Sequence, residues 1–354
     1  GIIMRLTSQQ IFAVARGAVR YEETEKGLLL HRFTREQREI YRLYAAEQRP
    51  GDWKDTVNRF YRNTCSTAGI KLVFKTDSES VTVDADFEQG ASRTFYSLNV
   101  FADGQYVGSI DNCLDATLPE RYFDVQLEAK PESKTFALGK GVKTVTVLLP
   151  FNFITYIRSV TLDDGASFEP VRLSKKMVFY GDSITQGYDV LRQDSRYAHK
   201  IAEALGCEEY NKAIGGEVFF PMLALHREDF TPDYILVAYG VNSWRVGSVE
   251  VFERKCRDFY KTLSETYPDT PIFALSPICR LDADTYENPG LGDFRLFDER
   301  IPRLTADLPN VINISGFDLV PRDAKLFADG YLHPTDDGFE HYARNLIKKL
   351  TPYL

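Results

Sequence analysis

A serine between glycines is the first residue of this chain that could do chemistry. Ser183 lies in the segment GDSITQG at 181–187, between a short apolar run and a helical pattern. The glycines allow a sharp turn, so Ser183 would lie among the main-chain N–H groups that open a helix. It is therefore a candidate nucleophile, although it could also merely cap the helix. Asp182 could brace the oxyanion loop, be an ordinary turn residue or contact a ligand.

Three later segments supply the partners that a nucleophilic serine needs. His333 could take the proton from the hydroxyl, and Asp329 could hold the imidazole in the right tautomer. The N–H groups of Ser183 and Gly216 and the side-chain amide of Asn242 could bind the oxyanion that develops on the carbonyl. The sequence thus predicts acyl transfer through a serine.

Each of these roles has a plainer alternative. Asn242 could simply occupy a turn, and His333 with Pro334 could lead into the last helix, capped by Thr335 or Asp336. The remaining histidines lie in polar or helical contexts and are weaker catalytic candidates; they are His31, His199, His226 and His341.

The candidate residues follow the strands of a predicted parallel sheet. After residue 170, buried-strand patterns alternate with amphipathic helices, which favours parallel strands covered on both faces. The strands are expected at Met177 to Tyr180, Glu209 to Ile214, Tyr234 to Tyr239, Pro271 to Ser276 and Val311 to Ser315. Because such sheets place their active sites at the carboxyl ends of the strands, we expect the candidates to meet at that edge.

The first half of the chain has a different pattern. Apolar and polar residues alternate at 81–87 and 123–128, which is typical of half-buried antiparallel strands. Further strands are expected at 70–74, 96–101, 144–149 and 156–162, after a helix that Thr34 and Gln37 could cap. We therefore predict an N-terminal helix plus a jelly-roll-like β-sandwich domain at 1–170 and an α/β domain at 171–354.

Composition excludes several classes of protein. The net charge of -8 argues against a nucleic-acid partner, and no run approaches the roughly 20 apolar residues of a membrane helix. The five cysteines are far apart and form no Cys-x-x-Cys pair, which indicates neither a disulfide framework nor a zinc site. The absence of a visible signal peptide favours a cytoplasmic protein, with a removed leader as the alternative. The oligomeric state stays open.

Taken together, the segments at 181–185, 211–216, 240–242 and 329–333 resemble the blocks of the GDSL or SGNH hydrolases. That family is named for a serine, a glycine, an asparagine and a histidine in this order. The resemblance implies a flavodoxin-like three-layer α/β/α domain. It also implies an esterase or lipase-type reaction on acyl groups with no metal and no organic cofactor.

The chain departs from the family pattern at two places. In most relatives the acid precedes the histidine by three residues, whereas here Gly330 fills that place and Asp329 lies four residues before His333. The alternative to Asp329 is a main-chain carbonyl, which orients the histidine in some relatives. The second departure is Ser243-Trp244 after Asn242, where an aspartate commonly follows the asparagine.

The predicted layout also bears on the substrate. A β-sandwich before a hydrolase domain is similar to certain carbohydrate esterases that remove acetyl groups, which implies an acetyl ester of a sugar or of a small acylated metabolite. A short-chain lipase or acylhydrolase is the alternative within the same chemistry. A carbohydrate-binding protein with a relic site is the alternative outside it.

Overall fold

The computed structural model describes residues 3–45, 56–287 and 289–354. Its first half is built from antiparallel strands. These strands are β1 Ile3–Arg5, β2 Ala15–Arg16, β3 Arg20–Thr24, β4 Gly27–His31, β5 Lys71–Thr76, β6 Ser80–Gln89, β7 Ser97–Ala102, β8 Gln105–Asp111, β9 Glu132–Ala137, β10 Lys143–Leu148, β11 Phe153–Asp163 and β12 Glu169–Pro170. One sheet has the order β3-β4-β11-β6-β9, with β1 beside β11. The other has the order β12-β5-β10-β7-β8, with β2 beside β5.

The two antiparallel sheets enclose a common apolar core. In β6 the side chains of Val81, Val83, Ala85 and Phe87 are buried, while the alternating residues are partly exposed. Val145 of β10 belongs to the same core from the opposite sheet. The alternating pattern thus folds as a β-sandwich, as predicted.

Three helices belong to the N-terminal half: α1 Ser8–Val14, α2 Arg35–Tyr44 and α3 Thr56–Asn63. Ile11 and Val14 of α1 pack in the core of the sandwich, whereas Ile40 and Tyr41 of α2 and Phe60 of α3 pack in the core that includes the parallel sheet. The predicted capping box starts α2. The hydroxyl of Thr34 accepts a hydrogen bond from the N–H of Gln37 at 3.1 Å, and the side-chain oxygen of Gln37 accepts one from the N–H of Thr34 at 3.0 Å. The prediction of this helix start is confirmed.

The strand predicted at 123–128 is wrong. Tyr122–Asp124 is a turn of 3-10 helix, and the following residues run on without a strand partner in the described chain. Their backbone groups bond to a side chain instead: the Thr94 hydroxyl donates to the carbonyl of Val125 and accepts from the N–H of Leu127 at 3.0 Å. Alternate residues are therefore half-buried without a ladder. The strand of this region is β9, which pairs with β6.

The second half contains a parallel sheet. Its strands are β13 Lys175–Gly181, β14 Cys207–Asn211, β15 Tyr234–Ala238, β16 Ile272–Leu275 and β17 Val311–Ile314. Its helices are α4 Ser183–Gln186, α5 Tyr197–Ala204, α6 Pro221–Leu225, α7 Val241–Trp244, α8 Val249–Thr266, α9 Phe297–Thr305 and α10 Asp336–Leu350. The strand order is β14-β13-β15-β16-β17, with parallel pairing throughout, so the predicted α/β architecture is confirmed.

This strand order decides where a site can form. The chain passes from β13 to β14 on one side of it and then to β15 on the other, so the direction of winding reverses at β13. In such sheets a crevice opens at the carboxyl end of the strands beside the reversal. Ser183 begins α4 at that end of β13.

Along the chain, the antiparallel strands end with β12 at Pro170 and the parallel strands begin with β13 at Lys175. A division into separate domains at residue 170 stays a prediction. Among the helices of the described ranges, none combines the length and the hydropathy that crossing a bilayer requires.

Candidate active site

Ser183 is held at a sharp turn between β13 and α4. Asp182 caps α4, its carboxylate accepting a hydrogen bond from the N–H of Ile184 at 3.1 Å. A Cβ on Gly181 would lie 2.8 Å from the carbonyl oxygen of Ala238 on the neighbouring strand, so this position requires glycine. The turn places the Ser183 hydroxyl at the edge of a cavity while the residue stays 95% buried, with 5% of its surface exposed.

His333 links this serine to a carboxylate. Its Nε2 lies 2.8 Å from the Oγ of Ser183, and its Nδ1 lies 2.8 Å from Oδ2 of Asp329. The other oxygen, Oδ1, accepts the N–H groups of Tyr331, Leu332 and His333 itself at 2.8 to 3.1 Å. The four-residue spacing therefore brings an acid to the histidine through a compact loop. The sequence offered two groups that could orient His333, the side chain of Asp329 and a main-chain carbonyl. The side chain of Asp329 is the one that lies beside Nδ1.

The surroundings of the two aspartates push their ionisation in opposite directions. Burial alone would raise the pKa of Asp329, but the hydrogen bond and charge of His333 and the backbone N–H donors outweigh it and hold this pKa below its usual range. Burial raises the pKa of Asp182 to about 7, only partly offset by the N–H of Ile184. Asp329 is thus an anion behind the histidine, whereas Asp182 keeps much of its proton at neutral pH.

Gly216 and Asn242 line the same cavity as Ser183 and His333, whose volume is about 390 Å³. Gly216 has a φ of +88°, a backbone conformation that favours glycine. The side-chain amide of Asn242 donates to the carbonyl of Glu217 at 3.0 Å, which ties the loop after β14 to α7. The structure therefore gathers the serine, glycine, asparagine and histidine of the four segments at one edge of the sheet.

Residues 179–341 match the model of the GDSL-like lipase/acylhydrolase family. This part of the chain belongs to that family. The match gives the enzyme class, a serine hydrolase that acts on ester bonds. The matched residues, called the GDSL-like domain below, include the end of β13 and all of β14 to β17.

Solved structures share the fold well beyond the GDSL-like domain. The salicylyl-acyltransferase SsfX3 from a tetracycline biosynthetic pathway is 21% identical with a TM-score of 0.76, over 96% of this chain and 94% of that chain. A protein described as a GDSL-like lipase, from Bacteroides ovatus, is 18% identical with a TM-score of 0.71, over 99% and 98%. A family two carbohydrate esterase from Clostridium thermocellum, solved in complex with cellohexaose, is 14% identical with a TM-score of 0.58, over 82% and 94%.

These similarities show that the β-sandwich and the GDSL-like domain form a layout that other proteins share. No curated protein matches the sequence.

The cavity beside the GDSL-like domain has a second wall that sequence reasoning missed. It comes from the N-terminal half, chiefly from the end of α3 and from the loop after β6; the lining residues include Phe60, Arg62, Asn63, Gln89, Ser92 and Arg93. None of these lies in a recognisable motif, and their approach to Ser183 depends on how the sandwich packs on the GDSL-like domain. Gln186 was visible within GDSITQG, yet its partner Asn63 was not.

Asp189 is the other residue that the sequence did not point to. Its Oδ2 lies 3.7 Å from Nδ1 of His333, and its carboxylate binds Arg93 through two hydrogen bonds. Two of the weaker histidine candidates have partners elsewhere: His31 lies 3.0 Å from Glu22, and His199 lies 2.8 Å from Lys71.

Proposed function

We propose that this protein is a serine esterase in which Ser183 is the nucleophile, His333 the general base and Asp329 the group that orients the histidine. The observation that carries the proposal is the chain of hydrogen bonds from Asp329 through His333 to Ser183, which opens on a cavity. A carboxylate on Nδ1 selects the tautomer in which Nε2 is free to accept the serine proton.

The first half of the reaction forms an acyl-enzyme. The Oγ of Ser183 attacks the ester carbonyl carbon while its proton passes to Nε2 of His333. The negative charge that develops on the carbonyl oxygen is bound by the N–H groups of Ser183 and Gly216 and by the amide of Asn242. Collapse of this intermediate breaks the bond to the alcohol, which leaves with the proton held by His333.

The second half releases the acid. Water enters the cavity, gives a proton to His333 and attacks the acyl carbon, and the same donors bind the second oxyanion. Ser183 leaves with the proton that His333 returns, which restores the starting state. Asp329 remains an anion throughout and stabilises the imidazolium in both halves.

For the substrate we propose an acetyl or other short acyl ester of a carbohydrate or of a small acylated metabolite. A cavity of about 390 Å³ is at the lower end of small-molecule sites. Polar side chains of Arg62, Gln89 and Ser92 line it beside apolar Phe60, a combination that suits a ring bearing hydroxyl groups. The fold shared with family two carbohydrate esterases adds support to this choice.

Serine and oxyanion variants test the chemistry. We expect Ser183→Ala to abolish hydrolysis of p-nitrophenyl acetate and Asn242→Ala to lower kcat by about 10²- to 10³-fold, the usual effect of losing one oxyanion donor. Ser133→Ala, an exposed serine of β9, is the matched control and should behave as the parent. Labelling with a fluorophosphonate should place the adduct on Ser183. A folded parent that takes no label would instead indicate a binding protein with a relic site.

A substrate panel tests the acyl group and the alcohol separately. We expect acetylated sugars to be hydrolysed with a higher kcat/KM than aryl esters of longer acids. A steady gain with acyl length would contradict the carbohydrate part of the proposal and leave a short-chain lipase or acylhydrolase.

A further inference from the structure

Two carboxylates lie beside the same nitrogen of His333. Oδ2 of Asp329 is 2.8 Å from Nδ1, and Oδ2 of Asp189 is 3.7 Å from it. Asp189 has no exposed side-chain surface, so water does not screen its charge. A serine of this kind needs one acid behind its histidine, and a second free carboxylate would compete for the Nδ1 proton and hold the imidazole in its charged form.

Asp189 is not free, because an arginine of the N-terminal half binds it. Nε of Arg93 lies 2.5 Å from Oδ1 and its Nη2 lies 3.0 Å from Oδ2, which is the bidentate geometry. The guanidinium also lies 4.9 Å from the ring of Tyr188, and the hydroxyl of Tyr122 donates to the main-chain carbonyl of Asp189 at 2.7 Å. The N-terminal half therefore fixes both the side chain and the backbone of Asp189.

We propose that Arg93 is a positioning residue of the catalytic centre: it engages both oxygens of Asp189, so that His333 is paired with Asp329 alone. The inference rests on the proposed role of His333 as the general base. The β-sandwich would thus contribute to catalysis through the positive charge of Arg93, which lies outside the GDSL-like domain and binds Asp189.

The groups facing His333 determine how strongly this charge acts. They are the carboxyls of Asp329, Asp189 and Asp182, the ring of Tyr188 and the buried cation of Arg93. The guanidinium of Arg121 lies against Gly330, in the loop between Asp329 and His333. The Arg93 side chain is 12% exposed, so its charge is little screened. Its pair with Asp189 is neutral as a whole, and breaking the pair exposes the imidazole to one uncompensated charge.

The sign of the effect depends on which partner is removed. Without Arg93, the charge of Asp189 at 3.7 Å from Nδ1 is uncompensated and stabilises the imidazolium form of His333. The base is then blocked up to a higher pH. Without Asp189, the cation of Arg93 is left near the ring and disfavours its protonation. The two single variants must therefore shift the titration in opposite directions.

The test compares Arg93→Met, Asp189→Asn, the double variant and Arg93→Lys. The readouts are the acid limb of the kcat/KM profile and the midpoint of the His333 ring titration followed by NMR, assigned by its loss in His333→Gln. We expect Arg93→Met to move both to higher pH by about one unit and Asp189→Asn to move them to lower pH. The double variant should return close to the parent, and Arg93→Lys should stay close to it because the charge is kept. Arg257→Met, which breaks an exposed pair with Asp307, should change neither.

Folded Arg93→Met and Asp189→Asn proteins with the titration of the parent, or with shifts in the same direction, would overturn the inference. If Arg93→Met does not fold, the other two variants still test the inference. The titration of His333 should move to lower pH in Asp189→Asn and stay close to that of the parent in Arg93→Lys. The NMR titration needs no turnover. A parent without esterase activity would thus refute the proposed function alone, whereas an active parent with unmoved titrations would refute the role of Arg93 alone.

Discussion

Asp329 divides its two carboxylate oxygens between two tasks. One oxygen binds His333, and the other accepts the N–H groups of residues 331–333, so the acid also shapes the loop that carries the base. Gly330, at the position where an acid three residues before the histidine would lie, has a φ of +86°. The loop turns there, and a Cβ would meet the guanidinium of Arg121. The four-residue spacing between Asp329 and His333 thus includes a glycine at position 330, which the positive φ of the turn favours.

Replacing Asp329 by asparagine separates these tasks. In Asp329→Asn the side-chain oxygen can still accept the loop N–H groups, but its amide would donate to Nδ1 and leave the proton on Nε2, where it cannot accept from Ser183. We expect kcat for an aryl ester to fall by about 10³- to 10⁴-fold while the melting temperature changes little. Activity within about tenfold of the parent would show that another group orients His333.

Asp182 should make the stability of the protein depend on pH. Its pKa is raised by burial to about 7, whereas an unfolded aspartate titrates near 4, so the folded state holds an extra proton between these values. Stability contributed by this residue is highest below about pH 4 and is lost as the pH rises towards 7. Asp182→Asn keeps the cap on Ile184 without the charge.

In urea unfolding, the stability of Asp182→Asn relative to the parent should therefore rise from pH 4 to pH 7. A difference that does not vary with pH would contradict the buried, raised carboxyl.

At the scale of elements, one buried amide joins the loop after β14, the end of α3 and the segment before β11. Oε1 of Gln186 on α4 accepts the N–H of Gly215 at 2.8 Å and the amide of Asn63 at 3.1 Å, while its Nε2 donates to Asn63 and to the carbonyl of Phe151 at 2.8 and 2.7 Å. Gly215 directly precedes Gly216. The position of the proposed oxyanion donor is thus fixed by α4 and by the end of α3 together.

Removing this amide should loosen the oxyanion loop without emptying the cavity. We expect Gln186→Met to lower kcat by about tenfold or more with a small change in KM, because the N–H of Gly215 and the amide of Asn63 lose buried partners. Gln105→Met, at the exposed start of β8, is the matched control. A Gln186→Met protein with the kcat and the melting temperature of the parent would show that the loop is held by other contacts.

The elements differ in how well the sequence predicts them, for physical reasons. The parallel strands were predictable because their apolar runs are local, and the edge where Ser183 and His333 meet followed from the rule for such sheets. The alternation of apolar and polar residues at 123–128 gave a wrong strand prediction. An extended segment that packs one side against the protein shows the same alternation without pairing to another strand. Arg93 and Asn63 could not be predicted near Ser183, since their positions depend on long-range docking.

At the scale of the whole molecule, Arg32 is one of the residues that join the N-terminal half to the GDSL-like domain. Arg32 follows β4 and has no exposed surface. Its guanidinium donates to the carbonyls of Asn63 and Ser66 at 2.7 Å on one side, and to those of Ala213 and Asn211 at 2.6 and 3.2 Å on the other. Burial lowers the pKa of Arg32 to about 10, which still leaves it charged at neutral pH. Asn63 lines the cavity itself, and Ala213 lies two residues before Gly215, which also lines it.

Loss of Arg32 should therefore weaken folding and catalysis together. Arg32→Met leaves four carbonyl groups without their buried donor, and we expect the free energy of unfolding in urea to fall by at least about 3 kcal/mol, with a lower kcat at temperatures where the variant is folded. Arg158→Met, which breaks an exposed pair with Asp84, should cost no more than about 0.5 kcal/mol and leave kcat unchanged. A loss below about 1 kcal/mol for Arg32→Met would mean that the two halves are joined by other contacts and that the cavity keeps its shape without this residue.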